Sequence, residues 1–191
     1  MRIIVGITGA SGVRLSYRMV EELYNHDINV YTIMTRAALK VFKGEGIQGL
    51  IDKIREYSSG YYIEDMLEAP ISSSSFLTNG MIIIPCTMNT IAKIVHGIAD
   101  NLLIRAADNQ IKMGNKLIIV PRESPLSMIH LRNMYRLSRM GSNIYIVPPL
   151  LTYYHGPRDI RDMENHTIGK ILDILGVEHN LYRRWSGYGS K

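Results

Sequence analysis

Cysteine is almost missing from this chain: its 191 residues include one, Cys86, so no disulfide can close within it. The six histidines are scattered and show none of the close His and Cys spacings of a zinc site, so a metal centre is not expected. No apolar run approaches the roughly 20 residues that cross a bilayer. The opening MRIIVGITGASG lacks the charged head, apolar middle and cleavage site of a secretory signal. A cytoplasmic protein without a membrane partner is the expectation. Basic residues interleaved with aromatics, the footprint of a nucleic-acid surface, are dense only from Tyr182 to Trp185, so no nucleic-acid partner is expected.

What is present is an ordinary globular balance of 46% hydrophobic and 20% charged residues, on a chain long enough for one compact core. The formal net charge of +5 favours an anionic partner without choosing its kind. Residues 2 to 7 form a β-branched run that stops at TGASG, after which Leu15, Met19, Val20 and Leu23 recur at helical spacing. Asn29 to Met34 reads as a second strand, and a second helix opens at Ala37. Residues 45 to 59 carry weak helical periodicity, and the serine-rich stretch from Ile71 to Asn79 reads as a loop. Further buried strands are expected at Met81 to Ile84, Lys116 to Val120 and Asn143 to Val147. Between them lie one long apolar period running on from Thr90, and a helix around Met128 to Met140. Asp159 to Leu175 reads as a closing helix stopped by Gly176. About five strands alternating with helices imply an α/β fold, a doubly wound parallel sheet buried on both faces. In such sheets ligands sit beyond the carboxyl ends of the strands.

The segments that follow the strands carry the candidate chemistry. Gly9 and Gly12 leave room for backbone to approach a ligand at a helix amino terminus, which attracts phosphate; a tight turn with Ser11 as helix cap explains them equally well. PCTMNT at 85 to 90 offers hydroxyls and an amide at a second such junction, or only a cap from Thr87 or Thr90. Nothing beside Cys86 would activate a thiolate, and a small core residue is the plainer reading. Arg105 is flanked by LLI and AA, so it should lie close to the core and need a partner, Asp100 or Asp108. Lys112 falls on nearly the same helical face, and Arg122 and Glu123 follow a buried strand directly. These residues alone reach an α/β protein that binds an anionic ligand.

Taken together, TGASG at 8 to 12, PCTMNT at 85 to 90, HGIADNLLIRAAD at 96 to 108, PRESPL at 121 to 126 and RW at 184 to 185 resemble the UbiX-type flavin prenyltransferases. The similarity runs through nearly the whole chain. The resemblance implies a flavodoxin-like, Rossmann-like three-layer fold in a single flavoprotein domain over residues 1 to 178. A tail, residues 179 to 191, would cover the active site or an interface. It implies a homo-oligomer, a dodecamer built from trimers, with FMN at subunit interfaces. FMN contacts would fall on Gly9, Ala10, Ser11, Thr35, Thr87, Met88, Asn89, Thr90, Arg105 and Arg122. Dimethylallyl phosphate would be held by Lys112, Arg122, Tyr154 and Lys170, bordered by Ser73, Ser74 and Ser75 and covered by Trp185. Glu123 would be the acid/base, with Ser11, Lys112 and Arg122 completing the catalytic set. The implied activity is metal-independent transfer of a dimethylallyl group to N5 and C6 of reduced FMN, and the prenylated FMN would pass to a UbiD-type decarboxylase. This chain departs from the family in carrying Thr35 for serine, Lys170 for arginine and Ser74 for glycine; lysine lacks the bidentate fork of arginine. Two readings compete. A flavin-dependent cysteine decarboxylase of the same fold would need a catalytic histidine near the flavin, for which only His96 and His155 are placed. A flavin carrier would need no catalytic group.

Overall fold

The computed structural model describes residues 1–187. Its elements are β1 (Arg2–Ile7), α1 (Val13–Asn25), β2 (Asn29–Met34), α2 (Arg36–Gly44), α3 (Leu50–Tyr57), β3 (Gly60–Ile63), β4 (Gly80–Cys86), α4 (Met88–Val95), α5 (Leu102–Met113), β5 (Lys116–Pro121), α6 (Met128–Ser138), β6 (Ile144–Ile146) and α7 (Ile160–Leu175). The chain forms two compact units, Met1–Pro148 and Pro149–Lys191.

In the first unit six strands pair in the order β3-β2-β1-β4-β5-β6, all parallel. This is the doubly wound α/β sheet that the alternation of strands and helices implied. Parallel strands covered on both faces read as continuous apolar runs, and in β1 Ile3, Ile4, Val5 and Ile7 are all buried. One face joins Ile4, Ile33, Met81, Ile83, Leu117 and Ile119 to Ile91, Leu103, Ala107 and Leu137 from the helices that follow β4 and β5. The other is covered by α1, which contacts β1, β2 and β4 and buries Val13, Met19, Val20 and Leu23 at helical spacing. The winding reverses between β1 and β4, and the crevice above that reversal is where a ligand fits such a sheet.

Three expectations need correction. There are six strands, not five: β3 is four half-buried residues at the sheet edge, paired with β2 alone, and its GYYI has no apolar alternation to announce it. The apolar period from Thr90 onward belongs to two helices. α4 stops at His96 and Gly97, whose φ of +66° suits glycine, and α5 restarts at Asn101, whose side chain accepts from the Ile104 N–H at 3.0 Å. Ser11 is not the cap of α1; Gly12, at φ +93°, holds that position with no side-chain bond.

In the second unit α7 is capped by Asp159, which accepts from the Asp162 N–H at 2.8 Å, and it ends at Gly176 with φ +80°, the stop read from the sequence. Among the described residues no helix is long and apolar enough to cross a membrane.

Candidate active site

The turns after β1, β2 and β4 line one cleft of about 230 Å³, with Thr8, Gly9, Thr35, Ala37, Thr87, Asn89 and Thr90 on its walls. Two side-chain hydrogen bonds tie the first turn to the third: the Thr8 hydroxyl donates to Pro85 O at 2.8 Å and accepts from the Thr87 N–H at 2.9 Å. Thr35 caps α2 by accepting from Ala38 N–H at 3.1 Å, and Thr87 caps α4 by accepting from Thr90 N–H at 3.2 Å. Gly9 is required by close approach: a Cβ there would lie 2.4 Å from the Cβ of Ala37 and 2.9 Å from its carbonyl carbon. Helix amino termini flanked by hydroxyls attract a phosphate monoester through the helix dipole and donor groups. A phosphate-bearing flavin therefore fits these residues. Of the other expected flavin contacts, Ala10 is buried in the first turn, Ser11 is exposed beside it, and Met88 belongs to the core cluster.

Arg122 and Glu123 stand exposed at the tip of β5. The Arg122 N–H donates to Cys86 O at 3.0 Å, which fixes this tip against that of β4, and the Glu123 carboxylate accepts from the Ser124 N–H at 3.0 Å. Cys86 itself is fully buried and burial pushes its thiol up, so it stays protonated and takes the plain core role.

A second group lies on the outer side of α5. Asn109 Nδ2 at 2.9 Å and Arg105 Nε at 3.4 Å both donate to the Ser72 carbonyl, bracing a loop in which the Ser73 and Ser75 hydroxyls are 2.8 Å apart with Ser74 between them. Arg105 is exposed rather than close to the core, because its helical position points away from the sheet. Its two proposed partners serve other cations: Asp100 pairs with Lys93 at 2.6 Å and Asp108 with Lys112 at 3.1 Å. α5 runs opposite to the strands, so Lys112 lies about 13 Å along the helix from the cleft residue Leu103. Within one chain Arg105, next to the cleft residue Ile104, borders the strand-tip cleft, and Lys112 lies away from it.

A third group belongs to the second unit. Tyr154 Oη lies 3.2 Å from His166 Nε2 and Trp185 meets the Tyr154 ring edge-on at 5.8 Å. His166 stacks on His155 at 4.9 Å; burial first, then the charges of His155 and Lys170, hold His166 below its ordinary value. Lys170 Nζ lies 5.1 Å from the centre of the Tyr182 ring, and a hydrogen bond to Tyr182 raises its pKa. His96, a candidate base for the decarboxylase reading, caps the far end of α4 with its Nδ1 2.9 Å from Ala92 O.

The profile of the Flavoprotein family matches residues 1–177. The flavin prenyltransferase UbiX of Alkalihalophilus pseudofirmus is 43% identical over 190 residues, covering 95% of this chain and 94% of that protein. The chain belongs to the UbiX flavin prenyltransferase family. Among solved structures of UbiX proteins, the dodecameric FMN-dependent UbiX-like decarboxylase of Escherichia coli superposes with a TM-score of 0.92 at 39% identity, over 98% of this chain and all of that one. AnUbiX in complex with FMN and dimethylallyl pyrophosphate gives 0.93 at 33% identity, over 98% of each chain. Against this UbiX background, four polar residues in unit 1 had escaped the sequence reading. Glu64, Lys93 and Asn101 line the cleft, with Glu64 accepting from Arg36 N–H at 2.7 Å and from Asn101 Nδ2 at 3.0 Å. The Glu45 carboxylate accepts from the Gly12 N–H at 2.9 Å, which puts a negative charge at the mouth of the glycine turn. Glu64 follows β3, so recognising that strand would have found it; Glu45 sits past the end of α2 with no local signal.

Proposed function

We propose that the protein is a metal-independent flavin prenyltransferase that moves a dimethylallyl group from dimethylallyl phosphate to N5 and C6 of reduced FMN. The observation that carries this reading is the cleft in which the turns after β1, β2 and β4 converge at the reversal of the sheet. Gly9, Ala10, Ser11, Thr35 and Thr87 through Thr90 hold FMN there, with Arg122 at the neighbouring tip. Lys112, Arg122, Tyr154 and Lys170 hold the donor phosphate. As the carbon–oxygen bond breaks, the phosphate leaves with its electron pair, and Lys112, Arg122 and Lys170 stabilise the charge it gains. They supply the positive field that Mg²⁺ supplies for diphosphate donors. Trp185 keeps water from the allylic carbon. The new carbon–nitrogen bond releases the N5 proton to the departing phosphate. Glu123 serves the ring closure, which adds one proton to the alkene and removes one from C6, so the carboxyl ends as it began.

The distance of Lys112 from the cleft within one chain supports assembly into a homo-oligomer, in which the far end of α5 of one copy completes the site of another. The dodecameric relative from Escherichia coli supports a dodecamer, which the family resemblance implies is built from trimers. The prenylated FMN is then released to a UbiD-type decarboxylase. The deciding experiment incubates purified protein anaerobically with reduced FMN and dimethylallyl phosphate and weighs the flavin by mass spectrometry. A flavin heavier by one prenyl unit is expected; an unchanged mass overturns the proposal.

A further inference from the structure

On α7 a glycine stands where the C-terminal tail crosses the helix. A Cβ at Gly169 would come within 2.6 Å of two ring carbons of Tyr182 and 2.7 Å of the His179 ring, so no other residue lets the tail lie this close. One turn further on, the Asp173 carboxylate accepts from Tyr182 Oη at 2.5 Å and Arg184 at 2.6 Å, with His179 Nε2 at 3.1 Å. Burial pushes this carboxyl up, but the bonds from Arg184, Tyr182 and His179 outweigh it and hold its pKa at about 2. Three charge-assisted bonds on one acceptor are more than a loose tail needs. The tail so held leads directly into Trp185, which rests on Tyr154, while the Tyr182 ring lies under Lys170.

We propose that Asp173 is a positioning residue that clamps the tail against Gly169 through Tyr182 and Arg184, setting Lys170 and Trp185 for the donor phosphate. The inference rests on the prenyltransferase reading for its donor, but the clamp has a readout of its own. Trp185 is the chain's single tryptophan, so its emission reports the tail alone. Arg183 and Arg184 offer trypsin two cleavage points inside the clamped segment.

The test compares Asp173→Asn, Asp173→Glu, Tyr182→Phe and Gly169→Ala in the full chain with FMN bound. Asp173→Asn and Gly169→Ala are expected to raise KM for dimethylallyl phosphate about tenfold, with FMN affinity unchanged. Both should shift Trp185 emission to the red and speed tryptic cleavage, and Asp173→Glu should recover part of each effect. Alanine favours a helix over glycine, so Gly169→Ala should loosen the tail without loosening α7. That combination separates positioning from stability. Emission unchanged in both variants overturns the clamp; emission shifted with KM unchanged overturns its link to the donor. Should Asp173→Asn fail to fold, Tyr182→Phe decides, since it keeps the ring on Gly169 and removes one bond to Asp173. If the wild type prenylates nothing, the proposed function falls, while the emission of the variants still decides the clamp.

Discussion

The cleft at the strand tips is built on turns and helix starts, whereas the cluster on α7 is built from long side chains that hold one another. In the cleft, a glycine turn, two threonine caps and the amino ends of helices do the positioning, and every one of them is fixed by where a strand stops. Around α7, position comes from Asp173, Tyr182, His166 and Tyr154 holding one another across the fold of the second unit. The difference suits two tasks. Turns and helix starts at a sheet reversal make a rigid cradle for a large flavin. Charged side chains and aromatic rings suit a small phosphate ester that must enter, react and leave as inorganic phosphate.

The sharpest way to break that division is to find a residue that serves neither binding task. Glu123→Gln is expected to lower the rate of prenylation by about a hundredfold to ten-thousandfold while FMN affinity and donor KM hold, as loss of an acid/base group does. Single-turnover flavin mass analysis checks it, and a variant as fast as wild type would remove Glu123 from the chemistry. Next in size is Gly9→Ala, whose new methyl meets Ala37 backbone as well as its side chain. Overpacking of this kind costs about 1–3 kcal/mol, so FMN affinity should fall about tenfold or more with a lowered melting temperature. Titration of FMN fluorescence measures this; Trp185 emission should stay as in the wild type if the two regions are independent. Thr87→Ala removes the cap of α4, worth about 1 kcal/mol, together with a hydroxyl that lines the cleft 2.9 Å from that of Thr90, and should weaken FMN about fivefold in the same titration.

The same contrast explains how much the sequence disclosed. The α/β class, the doubly wound sheet and the strand-tip turns were legible because each rests on a local pattern: an apolar run, then glycine or a hydroxyl at a helix start. β3 was lost because an edge strand of four half-buried residues carries no pattern of its own. The break between α4 and α5 was lost because helical spacing continued across it, although Gly97 and Asn101 mark it once the cap geometry is seen. Arg105 was misjudged because apolar neighbours in sequence are not neighbours on a helix face: positions 104 and 106 turn inward while 105 turns out. The bonds of Glu45 to Gly12 and of Asp173 to the tail join residues through tertiary structure, and no spacing rule announces them.

The smallest expected effect concerns acid. The folded Asp173 pKa of about 2 lies below the ordinary value near 3.9 of an unfolded aspartate. A group depressed on folding contributes stability that is complete above the unfolded value and is lost as pH falls through the folded one. The clamp should therefore be indifferent to pH from about 8 down to about 5 and loosen only between about 4 and about 2. Trp185 emission followed across that range in wild type and Asp173→Asn isolates the contribution, because the variant has no carboxylate to protonate and should show no difference step there. A step near pH 6 would instead assign the hold on the tail to a histidine: the His166 ring meets that of Tyr182 at 4.9 Å, and His179 Nε2 lies 3.1 Å from Asp173 Oδ1. His166 argues against that outcome on its own terms. Burial and the neighbouring positive charges already keep it below its ordinary value, so near neutrality it stays neutral, a hydrogen-bond partner for Tyr154 rather than a counter-charge for the carboxylate.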